Sequence, residues 1–245
     1  MMRLMERTLT EDTLLGGRVR IVQPARGYRV AVDAVLLAAA VDARPGERVL
    51  DLGAGVGSVG LCLAARVPGC HVVGIELQPA MAELAERNAN LNGVADRVRT
   101  VVHDLAQPLT ADLGTFDHVV SNPPYLAAAV ADPSPDRAKA LATVESSADL
   151  ECWLAVATAA VKPAGTVLVI HRSDRLEEIA SRLGRLGWGD LTVKRLPPAA
   201  RVLLRARRAD RAARHEAPPL TLHRADGSYT DEAEAILRHA APLAF

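Results

Sequence analysis

From Arg48 to Leu186 the chain alternates between short apolar runs of strand length and longer segments whose apolar residues recur at helical spacing. Strands are expected at Arg48–Leu52, His71–Leu77, Val98–His103, Phe116–Ser121 and Gly165–His171, with helices between them near Val56–Ala65, Pro79–Asn92, Asp149–Val161 and Asp174–Leu186. In the second helix Met81, Leu84, Ala85, Asn88 and Leu91 share one face. Such alternation predicts an α/β fold with a doubly wound, mostly parallel sheet. Beyond Trp188, Leu191–Leu196 and Arg201–Ala206 read as an antiparallel pair closing one edge, which brings the expected sheet to seven strands. Upstream, Thr10–Gln23 reads as a hairpin turning at Gly16-Gly17, and Ala31–Val41 as a helix. The expected organisation is an N-terminal hairpin and helix extension over residues 1–42, a main domain over 43–209, and a C-terminal tail over 210–245 packed on that domain.

Bulk properties narrow the classes. The longest purely apolar run, Ala34–Val41, is far shorter than the roughly 20 residues that span a bilayer. Met1–Arg7 has no apolar signal core. Cys62, Cys70 and Cys152 lack metal-ligand spacing, which fits a reduced cytoplasmic setting, and no metal is expected. Lys and Arg number 29, as do Asp and Glu, so any nucleic-acid binding must rest on local patches.

The junction of the first core strand with its helix reads Asp51-Leu52-Gly53-Ala54-Gly55-Val56-Gly57-Ser58-Val59-Gly60. Gly55–Gly60 satisfies the dinucleotide-binding spacing, and Glu76 ends the next strand where a ribose-binding acid would stand, so a nicotinamide or flavin enzyme is a rival. Asp51 argues against it, because a carboxylate at the loop mouth repels a pyrophosphate. The same carboxylate favours S-adenosylmethionine, which carries a sulfonium and an ammonium. Glu76 can accept hydrogen bonds from both ribose hydroxyls, and Asp104, at the end of the third strand, from the adenine amine. Each acid alone is an ordinary strand-end or capping residue. Three at successive carboxyl ends, where open α/β sheets bind ligands, form a set. Ser121-Asn122-Pro123-Pro124-Tyr125 ends the fourth strand on the same edge. It joins a side-chain amide, two fixed backbone angles and an aromatic face, parts suited to holding a planar amino group during alkylation. A proline turn with Tyr125 as packing is the plainer alternative.

Over about Gly27–Ala206 these motifs, Asp51-x-Gly53-x-Gly55-x-Gly57, Glu76, Asp104 and Asn122–Tyr125 in that order, resemble the class I S-adenosylmethionine-dependent methyltransferases with an Asn-Pro-Pro-Tyr motif. Gln23–Leu37 and Leu222–Glu232 are further similar to the entry segment and ending of the bacterial tRNA1(Val) (adenine(37)-N6)-methyltransferase family. The resemblance implies a Rossmann-like methyltransferase fold, S-adenosylmethionine as cofactor, and methylation of an adenine beside the anticodon of a valine tRNA. It assigns cofactor binding to Asp51, Gly53, Ala54, Gly55, Glu76, Leu77, Asp104, Leu105 and Asn122. The catalytic set is Asn122, Pro123, Pro124 and Tyr125: the Asn122 and Pro123 carbonyls accept the two N–H bonds of the amine, Pro124 holds the turn and Tyr125 stacks on the base. Asp33 is either a helix N-terminal acid or a further group for the cofactor's methionine end.

For tRNA contact two basic segments stand out, residues 18–29 (Arg18, Arg20, Arg26, Arg29) and 194–214 (Lys194, Arg195, Arg201, Arg205, Arg207, Arg208, Arg211, Arg214), expected to flank the cleft. Charge runs are also common on plain solvated faces. Leu126–Ser147, long and proline-interrupted, is expected to be functional or disordered. The chain is expected to act as a monomer or homodimer. The rivals are a release-factor glutamine methyltransferase, which usually carries a helical domain upstream of the glycine loop, a ribosomal RNA guanine methyltransferase, a DNA adenine methyltransferase, and a methyltransferase-like fold that only binds RNA.

Overall fold

The computed structural model describes residues 8–26, 29–123, 148–209 and 213–245. Pro124, Tyr125, Leu126–Ser147 and Arg211 lie outside the described residues. The hairpin forms as expected: β1 (Leu9–Leu14) pairs antiparallel with β2 (Val19–Pro24) across a 3-10 turn at Leu15–Gly17. After α1 (Val32–Ala40) the alternation runs β3 (Arg48–Leu52), α2 (Ser58–Arg66), β4 (His71–Glu76), α3 (Pro79–Leu91), β5 (Val98–Val102) and β6 (Phe116–Ser121). It continues with α4 (Leu150–Ala160), β7 (Val161–Arg172), α5 (Leu176–Arg185), β8 (Trp188–Arg195) and β9 (Arg201–Arg208), and ends with β10 (Ala213–Ala217) and α6 (Asp231–His239).

The main sheet is wider than the sequence suggests. Its order is β10-β8-β9-β7-β6-β3-β4-β5, eight strands among the described residues where seven are expected. The additional strand, β10, runs parallel to β8. Its sequence, Ala-Arg-His-Glu-Ala, has no apolar alternation because it is an exposed edge strand. β3 to β7 are mutually parallel, and β9 is inserted antiparallel between β7 and β8. The central strands β3 and β6 bury Val49, Leu50, Leu52, Val119 and Val120 between helices that cover both faces. On one face Val120, Leu168, Ile170 and Leu203 pack with α1, α2 and α6. On the other, Leu50, Leu52, Val119 and Val169 pack with α4 and α5.

Two carboxamides dock the hairpin on this body. Asn88 of α3 is completely buried; its Nδ2 donates to Val22 O and Val56 O at 3.0 Å each, and its Oδ1 accepts from Val22 N at 2.8 Å. One turn on, Asn92 exchanges two bonds with the Arg20 backbone. Spaced four apart, they saturate the free edge of β2 as a neighbouring strand would. Three further hydrogen bonds close the link from β2 to α1: Gln23 accepts from Val30 N, and Arg29 donates to Thr10 Oγ1 and Asp12 Oδ2. At the far end α6 is capped by Thr230 Oγ1, with Asp231, Glu232 and Glu234 in its first turn and Arg238 and His239 in its last. That charge order suits the helix dipole. α6 lies against α1 and the hairpin turn, and Leu243 N donates to Ala39 O. No described helix is long and apolar enough to cross a membrane.

β3 fixes the position of the site. Its neighbours β4 and β6 are reached by crossovers leaving in opposite directions, so a crevice opens between the carboxyl ends of β3 and β6.

Candidate active site

The glycine loop turns out of β3 into this crevice. Gly53 and Ala54 both donate to Ile75 O at 2.9 Å, which pins the start of the loop to β4. Gly53 has φ +75°, and a Cβ there would come within 2.5 Å of Trp153 Cη2, so both backbone and neighbour demand glycine. Gly55, at φ +57°, is different: a Cβ would meet nothing within 4 Å. The loop therefore presents bare backbone to open space at Gly55, which is what close approach of a ligand requires. Asn88, through Val56 O, holds the far side of the loop.

The acids stand at the strand ends as the motif order predicts. Asp51 is 2 % exposed, and its Oδ2 has no hydrogen-bond partner. Burial, and then the charge of Glu76, push its pKa up to about 7. Glu76 is buried too, and burial raises its pKa. Its Oε2 accepts from Gly55 N and its Oε1 from Gln78 N, both at 2.8 Å, so it stitches β4 to the glycine loop and retains lone pairs on both oxygens. Leu77, just after it, is 38 % exposed, an unusual position for a large apolar side chain in this fold. Asp104 follows β5, half-buried, and its Oδ1 accepts from Ala106 N. Leu105 beside it is buried.

Asn122 joins the same place from β6. Ser121 lies opposite Leu52 in the parallel ladder, so Asn122 is the lateral neighbour of Gly53. Ser121 Oγ donates to Leu52 O at 3.2 Å and ties the two strand ends together. Asn122 is half-buried and Pro123 buried. An orphaned buried carboxylate oxygen, an open glycine knuckle and an exposed apolar side chain on one sheet edge fit a ligand with a cationic end, hydroxyls and a flat apolar ring, the composition of S-adenosylmethionine.

Other residues have different surroundings. Asp33, in the first turn of α1, accepts from Arg201 Nε at 3.1 Å, an ion pair that ties α1 to the start of β9. Among the described residues the basic run 194–214 does not form one face, because the β8–β9 hairpin sends its residues to both ends of the sheet. Arg195 and Arg201 reach the carboxyl edge, where Arg201 faces Arg172. Arg207 and Arg208 sit at the opposite edge, Arg208 stacked on Trp188, while Arg205 is covered by Phe245. Lys194 is buried and donates to Pro218 O. In the N-terminal segment Arg18 donates to Arg238 O, Arg20 pairs with Glu11, and Arg26 is exposed in the link leading to α1.

Two residues of α4 belong to this region without any local signal. Trp153 overlies Gly53, and Cys152 Sγ lies 3.0 Å from Leu105 O. Each contact joins residues far apart in the chain, and nothing in the sequence around them marks it.

Known proteins resemble this chain in sequence and in fold. Residues 29–141 match the methyltransferase small domain family. The tRNA1(Val) (adenine(37)-N6)-methyltransferase of Porphyromonas gingivalis is 33 % identical over 88 % of this chain and 89 % of its own length. The enzyme of that name from Yersinia enterocolitica is 32 % identical over 85 % of this chain and 84 % of its own. Among solved structures, a predicted O-methyltransferase, Atu636 of Agrobacterium tumefaciens, superposes with a TM-score of 0.69 at 27 % identity, covering 87 % of this chain and 99 % of that one. The geranyl diphosphate C-methyltransferase of Streptomyces coelicolor, solved with S-adenosyl-L-homocysteine, shares the fold at a TM-score of 0.54 and 15 % identity, over 72 % of this chain and 75 % of that one. The chain is thus an S-adenosylmethionine-dependent methyltransferase and belongs to the tRNA1(Val) (adenine(37)-N6)-methyltransferase family.

Proposed function

We propose that this enzyme methylates the N6 amine of an adenine in tRNA, at the anticodon-loop position specified by the name of its relatives. The observation that carries the proposal is the adjacency of Asn122 and the glycine loop across β3 and β6, beside a buried carboxylate with an unpartnered oxygen. Asp51 accepts from the ammonium of the cofactor, and Glu76 uses its remaining lone pairs for the ribose hydroxyls. Leu77 and Leu105 offer apolar contact to the adenine ring and Asp104 an acceptor to its amine, while Gly53, Ala54 and Gly55 line the methionine end with backbone. Asp33 acts indirectly, by holding the start of α1 against β9 through Arg201. Bound there, S-adenosylmethionine supplies an electrophilic methyl group that needs an oriented nucleophile.

Orientation is the task of Asn122 and Pro123. Adenine's exocyclic nitrogen is planar because its lone pair is delocalised into the ring. The Asn122 carbonyl oxygen accepts one N–H and the Pro123 carbonyl the other, which favours a pyramidal nitrogen with its lone pair directed at the methyl carbon. The proton becomes acidic as the new bond forms, so positioning and electrostatics carry the rate. Two adjacent acceptors suit an amine with two N–H bonds better than a hydroxyl with one, which favours N- over O-methylation. Pro124 and Tyr125 complete the motif, the ring stacking on a base that has left its own stack. Of the two basic segments, Arg195 at the carboxyl edge and Arg26, exposed in the link to α1, are the cations assigned to phosphates. The present partner of Arg195 is the surface carboxylate of Glu216, and an exposed pair of that kind is worth little against a polyanion, whereas Arg201 stays with Asp33.

The test is Asn122→Ala in single-turnover methyl transfer and in calorimetric titration with S-adenosylhomocysteine. Turnover falls by about a hundredfold or more, as for loss of an oriented polar group in other active sites, while cofactor affinity stays within about twofold. Undiminished turnover removes the amide from the mechanism.

A further inference from the structure

The chain contains two Trp, three Tyr and two Phe, so each aromatic ring is a conspicuous commitment. Trp188 and Phe116 fill the core. Trp153 does something else. It projects from the first turn of α4, partly exposed, and the far edge of its indole lies where a side chain on Gly53 would be: Cη2 at 2.5 Å and Cζ3 at 3.0 Å from an added Cβ. Gly53 is the first residue of the glycine loop and the lateral neighbour of Asn122. One residue earlier on the same turn, Cys152 Sγ reaches Leu105 O at 3.0 Å, on the loop that follows Asp104. Asp149 caps the turn by accepting from Cys152 N at 2.9 Å, and Leu150 and Leu154 anchor it in the core. One helical turn therefore touches the loops after β3 and β5, which carry Gly53 and Asp104.

We propose that Trp153 is a positioning residue for the cofactor: pressed on Gly53, its ring holds the glycine loop in the conformation that binds S-adenosylmethionine. The proposal rests on the cofactor site described above. Hydrogen bonds to Ile75 O and Glu76 hold the loop from the β4 side, and the ring closes the other side, where it leaves Gly53 no room to shift toward α4. Without the ring, Gly53 gains room to move, and the Gly55 backbone loses its fixed position relative to Asp51. A residue that merely filled the core would lower heat stability without changing ligand affinity.

The test combines three variants with titration of S-adenosylhomocysteine. In Trp153→Ala the dissociation constant rises about tenfold or more and the KM for S-adenosylmethionine rises with it, while the KM for tRNA changes little. Ile236→Ala, a core truncation on α6 at the opposite face of the sheet, serves as the stability control; it lowers Tm and leaves the dissociation constant near that of the wild type. Trp153→Phe, which keeps a ring against Gly53, recovers most of the affinity. In the Trp188→Phe background Trp153 is the sole indole, and its emission changes on cofactor binding. Equal cofactor affinity in wild type and Trp153→Ala, or an affinity loss in Ile236→Ala as large as in Trp153→Ala, overturns the assignment. Failure of the wild type itself to bind S-adenosylhomocysteine overturns the cofactor site, and this inference with it.

Discussion

Replacing Asp51 by asparagine should make the protein more stable and a poorer binder of its cofactor. Asp51 is fully buried with one unpartnered oxygen, and its pKa rises from 3.8 to about 7. A raised folded-state pKa means that the native protein keeps a proton that the unfolded chain has released. Stability therefore declines as pH rises from about 4 to about 7 and stays low above that window. At about 1.4 kcal/mol per pH unit, the loss is capped at about 4 kcal/mol. The Asp51→Asn variant keeps the shape and has no charge to bury, so at pH 8 its Tm should exceed that of the wild type, by up to the order of 10 °C for a chain of this size. At pH 4 the difference should vanish. Cofactor binding should run the other way. Only ionised Asp51 welcomes the ammonium, so wild-type affinity should weaken about tenfold between pH 8 and pH 6, as the ionised fraction falls from about nine-tenths to about one-tenth. The variant should bind weakly throughout that range, with the buried charge-assisted bond, about 1.5–3 kcal/mol, lost. Burial also raises the pKa of Glu76, which is present in both proteins, so the difference between their pH profiles isolates Asp51. Differential scanning fluorimetry and calorimetry across this pH range suffice. A variant no more stable than wild type at pH 8, or a wild-type affinity flat from pH 6 to pH 8, refutes this account of Asp51.

Two further outcomes follow from the same geometry. Asn88→Ala removes three hydrogen bonds and strands the Val22 N–H and the Val22 and Val56 carbonyls away from water. At about 1–3 kcal/mol for each buried orphan the cost is several kcal/mol, read as a fall in the denaturation midpoint, and a loss below about 1 kcal/mol would show that the hairpin is held by other contacts. Arg26→Ala should weaken tRNA binding evenly across sequences and flatten the plot of log K against log salt by about one unit, whereas an unchanged slope would take Arg26 off the phosphate path.

What can be read from the sequence is what local chemistry encodes. Arg48–Leu52 and Phe116–Ser121 form strands at the expected residues because short, β-branched-rich apolar stretches, Val49-Leu50 and Val119-Val120, lie just before a glycine loop and a proline turn that end them. Asp51, Glu76 and Asp104 are legible as a set because strand ends and sheet topology fix their common edge. β10 and α6 are not legible as elements. β10 has an exposed edge sequence with no buried face to pattern it. α6 carries a Thr cap and well-ordered end charges, but only Ala233, Ile236 and Leu237 mark its buried side. The run 194–214 reads as a segment flanking the cleft because charge counting does not carry the β8–β9 reversal, which sends Arg195 and Arg201 to one edge and Arg207 and Arg208 to the other. Trp153 on Gly53 is invisible for a related reason: a contact between residues so distant in the chain leaves no pattern near either.

The central claim is that this site methylates an adenine amine in tRNA. The most direct measurement incubates the protein and S-adenosylmethionine bearing a deuterated methyl group with unmodified tRNA1(Val), total ribosomal RNA, DNA and release factor in parallel. Each product is then digested and analysed by mass spectrometry. The prediction is deuterated N6-methyladenosine in tRNA1(Val), confined to the fragment containing position 37 and abolished when that adenosine is replaced by guanosine. Label in a guanine of ribosomal RNA, or on a glutamine of release factor with none in the tRNA, contradicts it.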